Sequence, residues 1–469
     1  MEVKSRKSSN IFNILAKGWI VGIKKPFKSI SARSRLVIAG SASLIVGRII
    51  SMGFSMLLVG MIARYFSRSE FGLFAVLTSI VTLTGGLDFG LGNGLRDKLA
   101  ALHVTSKSDD REDRQYFFST VYSLSMLTLI IIIGLALFGM FIPWQKVFNI
   151  NDYSIVLNSK WGLPIITIII ILNVPLLISS AGFFAYQMVN WFGLLNLLPN
   201  LFALCLVLIG ITLNLGFYIC MIAYFLGYTL AALLMMLIFI RIRRWPPIWI
   251  RYYEIIRCIR SIAGISVKFW SQAIFAGVAF SLGTYIVSQV LGLEEAGDFS
   301  LIQRLFLVLI SIHLATITPM WSALTQAKAN GDWRWAKSTV KRMVLFSVVG
   351  VGLASLLLVV LYRPLIFWWT GKYIDNLPLV LAMATWTVLY AYGSAYSMAF
   401  NGFGMLRFPL IAGALIAVAT VPINVFLGHK MGSVGIMIGQ SLLLIPGVII
   451  SPLLINSEIN RNLTIKDNI

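Results

Sequence analysis

The chain has 469 residues, of which 58% are hydrophobic and 12% charged, against roughly 45–50% and 25% in soluble globular domains. Its formal charge is +21, from 38 Lys and Arg against 17 Asp and Glu. This excludes an ordinary soluble domain, and the basic excess fits loops held at a cytoplasmic membrane surface and drawn to anionic headgroups rather than nucleic-acid binding.

Residues 1–35 form a basic tail. At about 100° per residue, Phe12, Leu15, Trp19, Ile23 and Phe27 fall on one side and Lys17, Lys24, Lys25 and Lys28 on the other, which predicts a helix lying on the cytoplasmic leaflet. The first long apolar run starts at residue 36 and exceeds a signal-peptide core, so no cleavable signal is expected. Twelve transmembrane spans follow, over 36–63, 71–93, 117–142, 161–185, 191–213, 217–240, 265–290, 298–323, 343–365, 378–400, 406–428 and 433–455, each near the roughly 20 apolar residues that cross a hydrocarbon core as helix. Alternating ten-residue strands are absent, which excludes a membrane barrel. The fold class is therefore an all-α membrane protein with short connections and no room for a soluble domain.

The second span opens with SEFGLFAVL (69–77) and the eighth with EEAGDFSLI (294–302). A shift of 225 residues lays Glu70, Gly72 and Phe74 on Glu295, Gly297 and Phe299, and both stretches begin the second helix of a six-helix set. Parallel repeats are thus expected, with a site between them. They divide the chain into a first lobe over 36–240, a linker over 241–264, a second lobe over 265–455 and a tail over 456–469. Trp249, Tyr252, Tyr253, Ile256 and Ile259 in the linker predict another surface-lying helix. With the N-terminus inside, cytoplasmic segments carry 28 Lys and Arg and outer loops 7, which places both termini in the cytoplasm. Cys205 and Cys220 lie within spans and Cys258 in a cytoplasmic loop, so no disulfide is expected.

Three basic residues fall inside spans: Arg48, Lys268 and Arg304. Each would cost roughly 2.5–3.5 kcal/mol at a helix centre, so such groups normally face a wet or protein-lined cavity. Arg48 stands twelve residues into span one, about 18 Å from its cytoplasmic end, and Arg304 six residues into span eight, about 9 Å from its outer end. Lys268 is nearer its span end, where its stem can reach the headgroups. Among acidic residues Asp88 alone is well inside a span, within the stretch GGLDFGLGNGLRDKLA (85–100), whose Gly85, Gly86, Gly90, Gly92 and Gly94 let a neighbouring helix approach or let the span unwind. It is expected to balance a cavity arginine and shape the inner gate, or to couple a proton or sodium ion. The alternative is a helix end with a snorkelling carboxylate, and Arg96 and Lys98 are expected to hold the following loop at the headgroups. His313 falls opposite Asp88 under the 225 shift, as a titrating group or a hydrogen-bonded structural one. Asn173, Asn196, Asn200, Gln272, Gln303, Tyr390, Tyr392, Tyr396 and Gln440 recur inside spans and permit a wet cavity. Pro175, Pro199, Pro319, Pro422 and Pro446 are sites for bends or static kinks. Cations with little acid suit a phosphate or diphosphate, which arginine grips by charge and forked hydrogen bonds.

The stretches ARYFSRSEFGLFAV (63–76), LDFGLGNGLRDKLA (87–100), LEEAGDFSLIQRLF (293–306) and PMWSALTQAKANGDW (319–333) resemble the O-antigen and polysaccharide flippases of the multidrug/oligosaccharidyl-lipid/polysaccharide exporter superfamily. The resemblance implies two six-helix lobes around a central cavity. It also implies transport of a polyprenyl-diphosphate-linked oligosaccharide from the cytoplasmic to the outer leaflet of the bacterial inner membrane, by alternating access. In related flippases a cationic cavity receives the diphosphate, and Arg48 and Arg304 are counterparts here, with Lys268 a third candidate. No cofactor or metal is implied, a proton or sodium ion is the candidate coupling ion, and candidate partners are membrane lipids, a glycan polymerase and a chain-length regulator. The rival transporter is a multidrug exporter of the same superfamily, many of which use intramembrane acids that this chain nearly lacks. A membrane glycan polymerase or glycosyltransferase would need a loop with paired catalytic groups. The largest acidic cluster, DDREDR (109–114), mixes signs and reads as a solvated loop, so no enzyme activity is expected.

Overall fold

The computed structural model describes residues 32–84, 86–105, 110–405 and 407–467. The surface helix expected over 11–28 lies outside them. Regular structure among the described residues is helical, as it must be where lipid offers no partner for backbone N–H and C=O groups. The elements are α1 (Ala32–Tyr65), α2 (Arg68–Thr84), α3 (Leu91–Thr105), α4 (Asp110–Phe138), α5 (Trp144–Phe148), α6 (Tyr153–Leu176), α7 (Ile178–Ala185), α8 (Val189–Leu195), α9 (Leu198–Thr212) and α10 (Phe217–Arg243). After the linker come α11 (Tyr252–Ser281), α12 (Gly283–Leu291), α13 (Leu293–Ile317), α14 (Pro319–Ala329), α15 (Trp333–Leu345), α16 (Val351–Thr370), α17 (Leu377–Phe403) and α18 (Arg407–Asp467).

Ten segments among the described residues are long and apolar enough to cross a membrane. One of them holds the last two predicted spans, joined at Gly432, where φ is 63° and ψ is −150°. The 17-residue α2 supplies span two, so all twelve predicted spans have a helical counterpart. Met126, Leu129, Ile133 and Leu137 on α4 and Leu353, Leu356, Leu357 and Val360 on α16 are exposed, which suits a lipid-facing surface and no aqueous one.

Three expectations need correction. Span two is not one helix through residue 93: α2 stops at Thr84 and a new helix begins at Leu91. The linker does not form a separate surface helix, because Tyr252 onward is continuous with the next span in α11. Residues 110–114 are not a solvated loop. They open α4, Asp113 is buried, and Tyr186 donates to its Oδ2 at 2.5 Å. Arg243 pairs with Asp110 at 2.6 Å and lies 3.9 Å from the Tyr186 ring centre. Mixed signs here bind α4 to the end of α10.

The two halves meet at both ends. At the end expected to face outside, α2 packs on α13, and a β-carbon added to Gly72 would run into the Leu293 carbonyl, while one on Gly297 would come within 3.3 Å of the Gly72 Cα. Ser69 Oγ donates to Glu294 Oε1 at 3.1 Å. Gly72 with Gly297 and Ser69 with Glu294 are pairs 225 apart, and residues meet their own equivalents only near a local two-fold axis. Further bonds bolt this end. Val147 O accepts from Tyr285 Oη at 3.1 Å and Gln289 Nε2 at 2.9 Å, Asn149 Nδ2 donates to Ser288 O at 2.8 Å, and Arg64 donates to the Trp368 and Trp369 carbonyls. Between α16 and α17, burial lowers the pKa of the Lys372 ammonium, with the Asp298 carboxylate acting the other way. At the opposite end α3 packs on α11, where β-carbons on Gly90 and Gly94 would clash with Ser266, and Phe89 and Trp270 lie 5.6 Å apart.

Overpacking a tight contact costs about 1–3 kcal/mol, so Gly72→Leu is expected to shift the outer end toward open by roughly tenfold or more. In a background lacking Cys205, Cys220 and Cys258, Ser281→Cys should then react faster with a membrane-impermeant maleimide added outside. Unchanged labelling of a well-folded variant would refute the closing role of this contact.

Candidate functional site

Between these two contacts lies a cavity of about 1070 Å³. The first half lines it from α1 to α3 and α6 to α10 with residues including Ser55, Thr78, Asp88, Arg96, Asn173, Asn196 and Tyr228. The second half contributes Phe280, Thr284, Gln303, Arg304, Trp386 and Tyr390 from α11, α12, α13 and α17.

Of the three cations expected inside spans, Arg304 is the one among the residues lining this cavity. It is half-buried on α13 and reaches across to the first half, donating from Nη2 to Thr78 Oγ1 at 3.2 Å. Its guanidinium carbon lies 5.9 Å from the centre of the Phe74 ring. No carboxylate of the described residues lies within ion-pair distance, 4.0 Å, of it. Arginine carries five N–H donors, so one bond to a neutral hydroxyl leaves most of its capacity open. Beside it a polar chain is already satisfied: Tyr224 Oη donates to Tyr228 Oη at 3.3 Å, Tyr228 to Asn200 Oδ1 at 2.6 Å, and Asn200 Nδ2 to Ser51 Oγ at 2.8 Å. That chain stiffens the wall and offers no negative charge.

Asp88 lines the cavity, yet it is not the partner of a cavity arginine. Its Oδ1 accepts from Gly90 N at 2.8 Å and its Oδ2 from Gly92 N at 3.1 Å. The carboxylate therefore caps α3, answering N–H groups that a helix start leaves open and the positive end of the helix dipole. The turn explains the glycines: Phe89 and Gly90 have φ of 54° and 70°, and Gly90 and Gly94 let α11 approach. Starting a helix at Leu91 also brings Arg96 to the cavity wall, 4.9 Å from the Phe184 ring centre. Arg96 was expected at the headgroups, and the missed signal was an aspartate followed by a helix start.

Arg48 and Lys268 are both exposed and neither is among the lining residues. His313 is buried and its Nε2 lies 3.0 Å from Ser394 Oγ, a hydrogen-bonded residue outside the lining. Of the polar residues singled out in the spans, Asn173, Asn196, Gln303 and Tyr390 line the cavity.

Helical spans in two halves around a central cavity define a multi-pass membrane protein with the architecture of flippases and drug exporters. The chain is similar in structure to the lipid II flippase MurJ in an inward closed conformation, with 16% identity, 89% of this chain and 87% of that one covered, and a TM-score of 0.68. An inward-facing multidrug resistance MATE transporter of the MOP superfamily gives 14%, 87%, 96% and 0.64 for the same four measures. A MOP-superfamily transporter from Pyrococcus furiosus, described as having a binding pocket of reverse polarity, gives 16%, 90%, 96% and 0.56. At such identities the likeness establishes the fold. No curated protein matches the sequence. The family model described as polysaccharide biosynthesis protein matches residues 37–325, and the chain belongs to that family.

Losing a side-chain acceptor that caps a helix start costs about 1 kcal/mol, whereas asparagine caps nearly as well as aspartate. Asp88→Ala is therefore expected to lower the thermal stability of the detergent-purified protein, with Asp88→Asn close to the parent. If Asp88→Asn instead kept stability and abolished transport, the carboxylate would have an ion-coupling role that capping does not provide.

Proposed function

We propose that the protein is a flippase that moves a polyprenyl-diphosphate-linked oligosaccharide, an O-antigen or other surface-glycan repeat unit, from the cytoplasmic to the outer leaflet of a bacterial inner membrane. The observation that carries this reading is Arg304, half-buried in the central cavity with no carboxylate of the described residues in ion-pair range. A guanidinium in that setting favours an anion with several acceptor oxygens, and a diphosphate supplies them. Membership in the polysaccharide biosynthesis family and the likeness of the fold to a lipid II flippase support the same substrate class.

In this mechanism the diphosphate meets Arg96 and then Arg304, the glycan occupies the cavity, and the polyprenyl chain stays in lipid. Separation of α2 from α13 and closure of α3 on α11 turn the access from one side to the other. The protein carries out no covalent chemistry, and a proton or sodium ion remains the candidate driving ion. A cationic-drug exporter is the weaker reading, because the carboxylate in the cavity, Asp88, is spent on backbone amides.

Hydrogen bonds to charged groups contribute about 1.5–3 kcal/mol each, so Arg304→Ala is expected to lower glycan export roughly 10- to 100-fold at normal expression, with Arg304→Lys intermediate. Arg48→Ala and Lys268→Ala should keep most of it. Deletion of the gene should accumulate unpolymerised lipid-linked repeat units on the inner leaflet. Full export by Arg304→Ala, or resistance to cationic dyes with no change in surface glycan, would contradict the proposal.

A further inference from the structure

We propose that the wall formed by Phe280, Tyr390 and Trp386 is a docking face for a pyranose ring, and that the ring it takes is the sugar joined directly to the diphosphate. The inference rests on the lipid-linked glycan reading above and adds which part of the cargo is recognised, and where.

All three rings line the cavity from the second half. Tyr390 stacks on Trp386 with centroids 5.3 Å apart and planes at 29°, and Phe280 meets Tyr390 edge to face at 5.4 Å. Trp386 is 3% exposed and serves as a fixed backing, while Phe280 and Tyr390 are half-buried and keep ring surface open to the cavity. The Tyr390 hydroxyl makes no hydrogen bond among the described residues and is not sealed off. The tyrosines of the opposite wall differ, because the Tyr224 and Tyr228 hydroxyls are already engaged in the chain to Asn200.

A pyranose has an apolar face of C–H bonds and a rim of hydroxyls. The first calls for a rigid aromatic surface and the second for groups able both to donate and to accept. Rigid aromatic rings with a polar tip provide both at small entropic cost. The rim here is completed by the half-buried Gln303, whose Oε1 accepts a long bond, 3.4 Å, from the buried Thr284 hydroxyl and whose Nε2 is left to bond a ligand. Gln303 adjoins Arg304 in sequence, and both side chains line the same cavity as Phe280 and Tyr390. The ring face and the anion site therefore open onto one space. In a glycosyl diphosphate the anomeric carbon is bonded to a phosphate oxygen, so the sugar that reaches this wall while the diphosphate sits on Arg304 is the first one.

The test compares two probes on purified protein in nanodiscs: polyprenyl diphosphate bearing no sugar, and the same lipid bearing one hexose. The parent protein is expected to bind the hexose form roughly tenfold more tightly. Tyr390→Ala and Phe280→Ala should remove that difference and leave affinity for the bare diphosphate lipid unchanged, whereas Tyr390→Phe should keep most of it. Unchanged binding of the bare lipid also reports that each variant is folded, and Arg304→Ala should weaken both probes. If the parent binds both forms alike, or Tyr390→Ala weakens both equally, the ring face is overturned while the flippase reading stands. Binding of neither probe by the parent would overturn that reading, and this inference with it.

Discussion

The structure depends on one guanidinium whose charge the described residues do not neutralise. Arg304 projects from α13 across the mid-cavity to a neutral hydroxyl on α2. A charge held away from bulk water is costly unless paired, and in a membrane such a residue persists where it faces a wet cavity and serves a charged species that passes through. The surrounding polar groups are arranged so as not to quench it. Asp88 is committed to the N-terminus of α3, and the Tyr224–Tyr228–Asn200–Ser51 chain satisfies itself. The cavity thus keeps an unfilled preference for negative charge.

Around that charge the two halves close by unlike means. At the expected inner end Gly90 and Gly94 pack tightly against Ser266, with Phe89 and Trp270 5.6 Å apart beside them. Lipid gives no hydrophobic drive to helix association, and close van der Waals packing carries such a joint. The expected outer end combines the Gly72 and Gly297 contact with hydrogen bonds from Tyr285, Gln289 and Asn149 to the α5 region and across. Each bond has a solvent-accessible replacement when the halves part, so the end can be firmly shut and still open. Because equivalent residues of the two halves meet there, small rotations of one half on the other separate this joint directly.

Much of the fold was legible because a bilayer imposes a length: runs of about 20 apolar residues have few alternatives to a spanning helix. Two glycines that the 225-residue shift pairs, Gly72 and Gly297, meet in the structure. The break in GGLDFGLG was legible in its glycines, as a place where the span could unwind, but not in hydropathy; what the sequence did not show is that the Asp88 cap and a positive-φ turn begin a new helix there. That misreading displaced Arg96, which a loop assignment left at the surface and a helix start carries to the cavity. Depth along a span also says nothing about direction. Arg48 was placed by counting residues from a helix end, and its side chain is exposed outside the lining, whereas Arg304, counted the same way, points inward. Which face of a helix looks at the cavity is set by packing between the halves, and a single sequence does not record it.

The measurement that bears most directly on this account is a structure of the protein bound to a polyprenyl-diphosphate-linked sugar. The account places a diphosphate oxygen within about 2.7–2.9 Å of the Arg304 guanidinium, inside the cavity between α2 and α13. Density for the diphosphate at exposed Arg48 or Lys268, with Arg304 free of ligand, would contradict it.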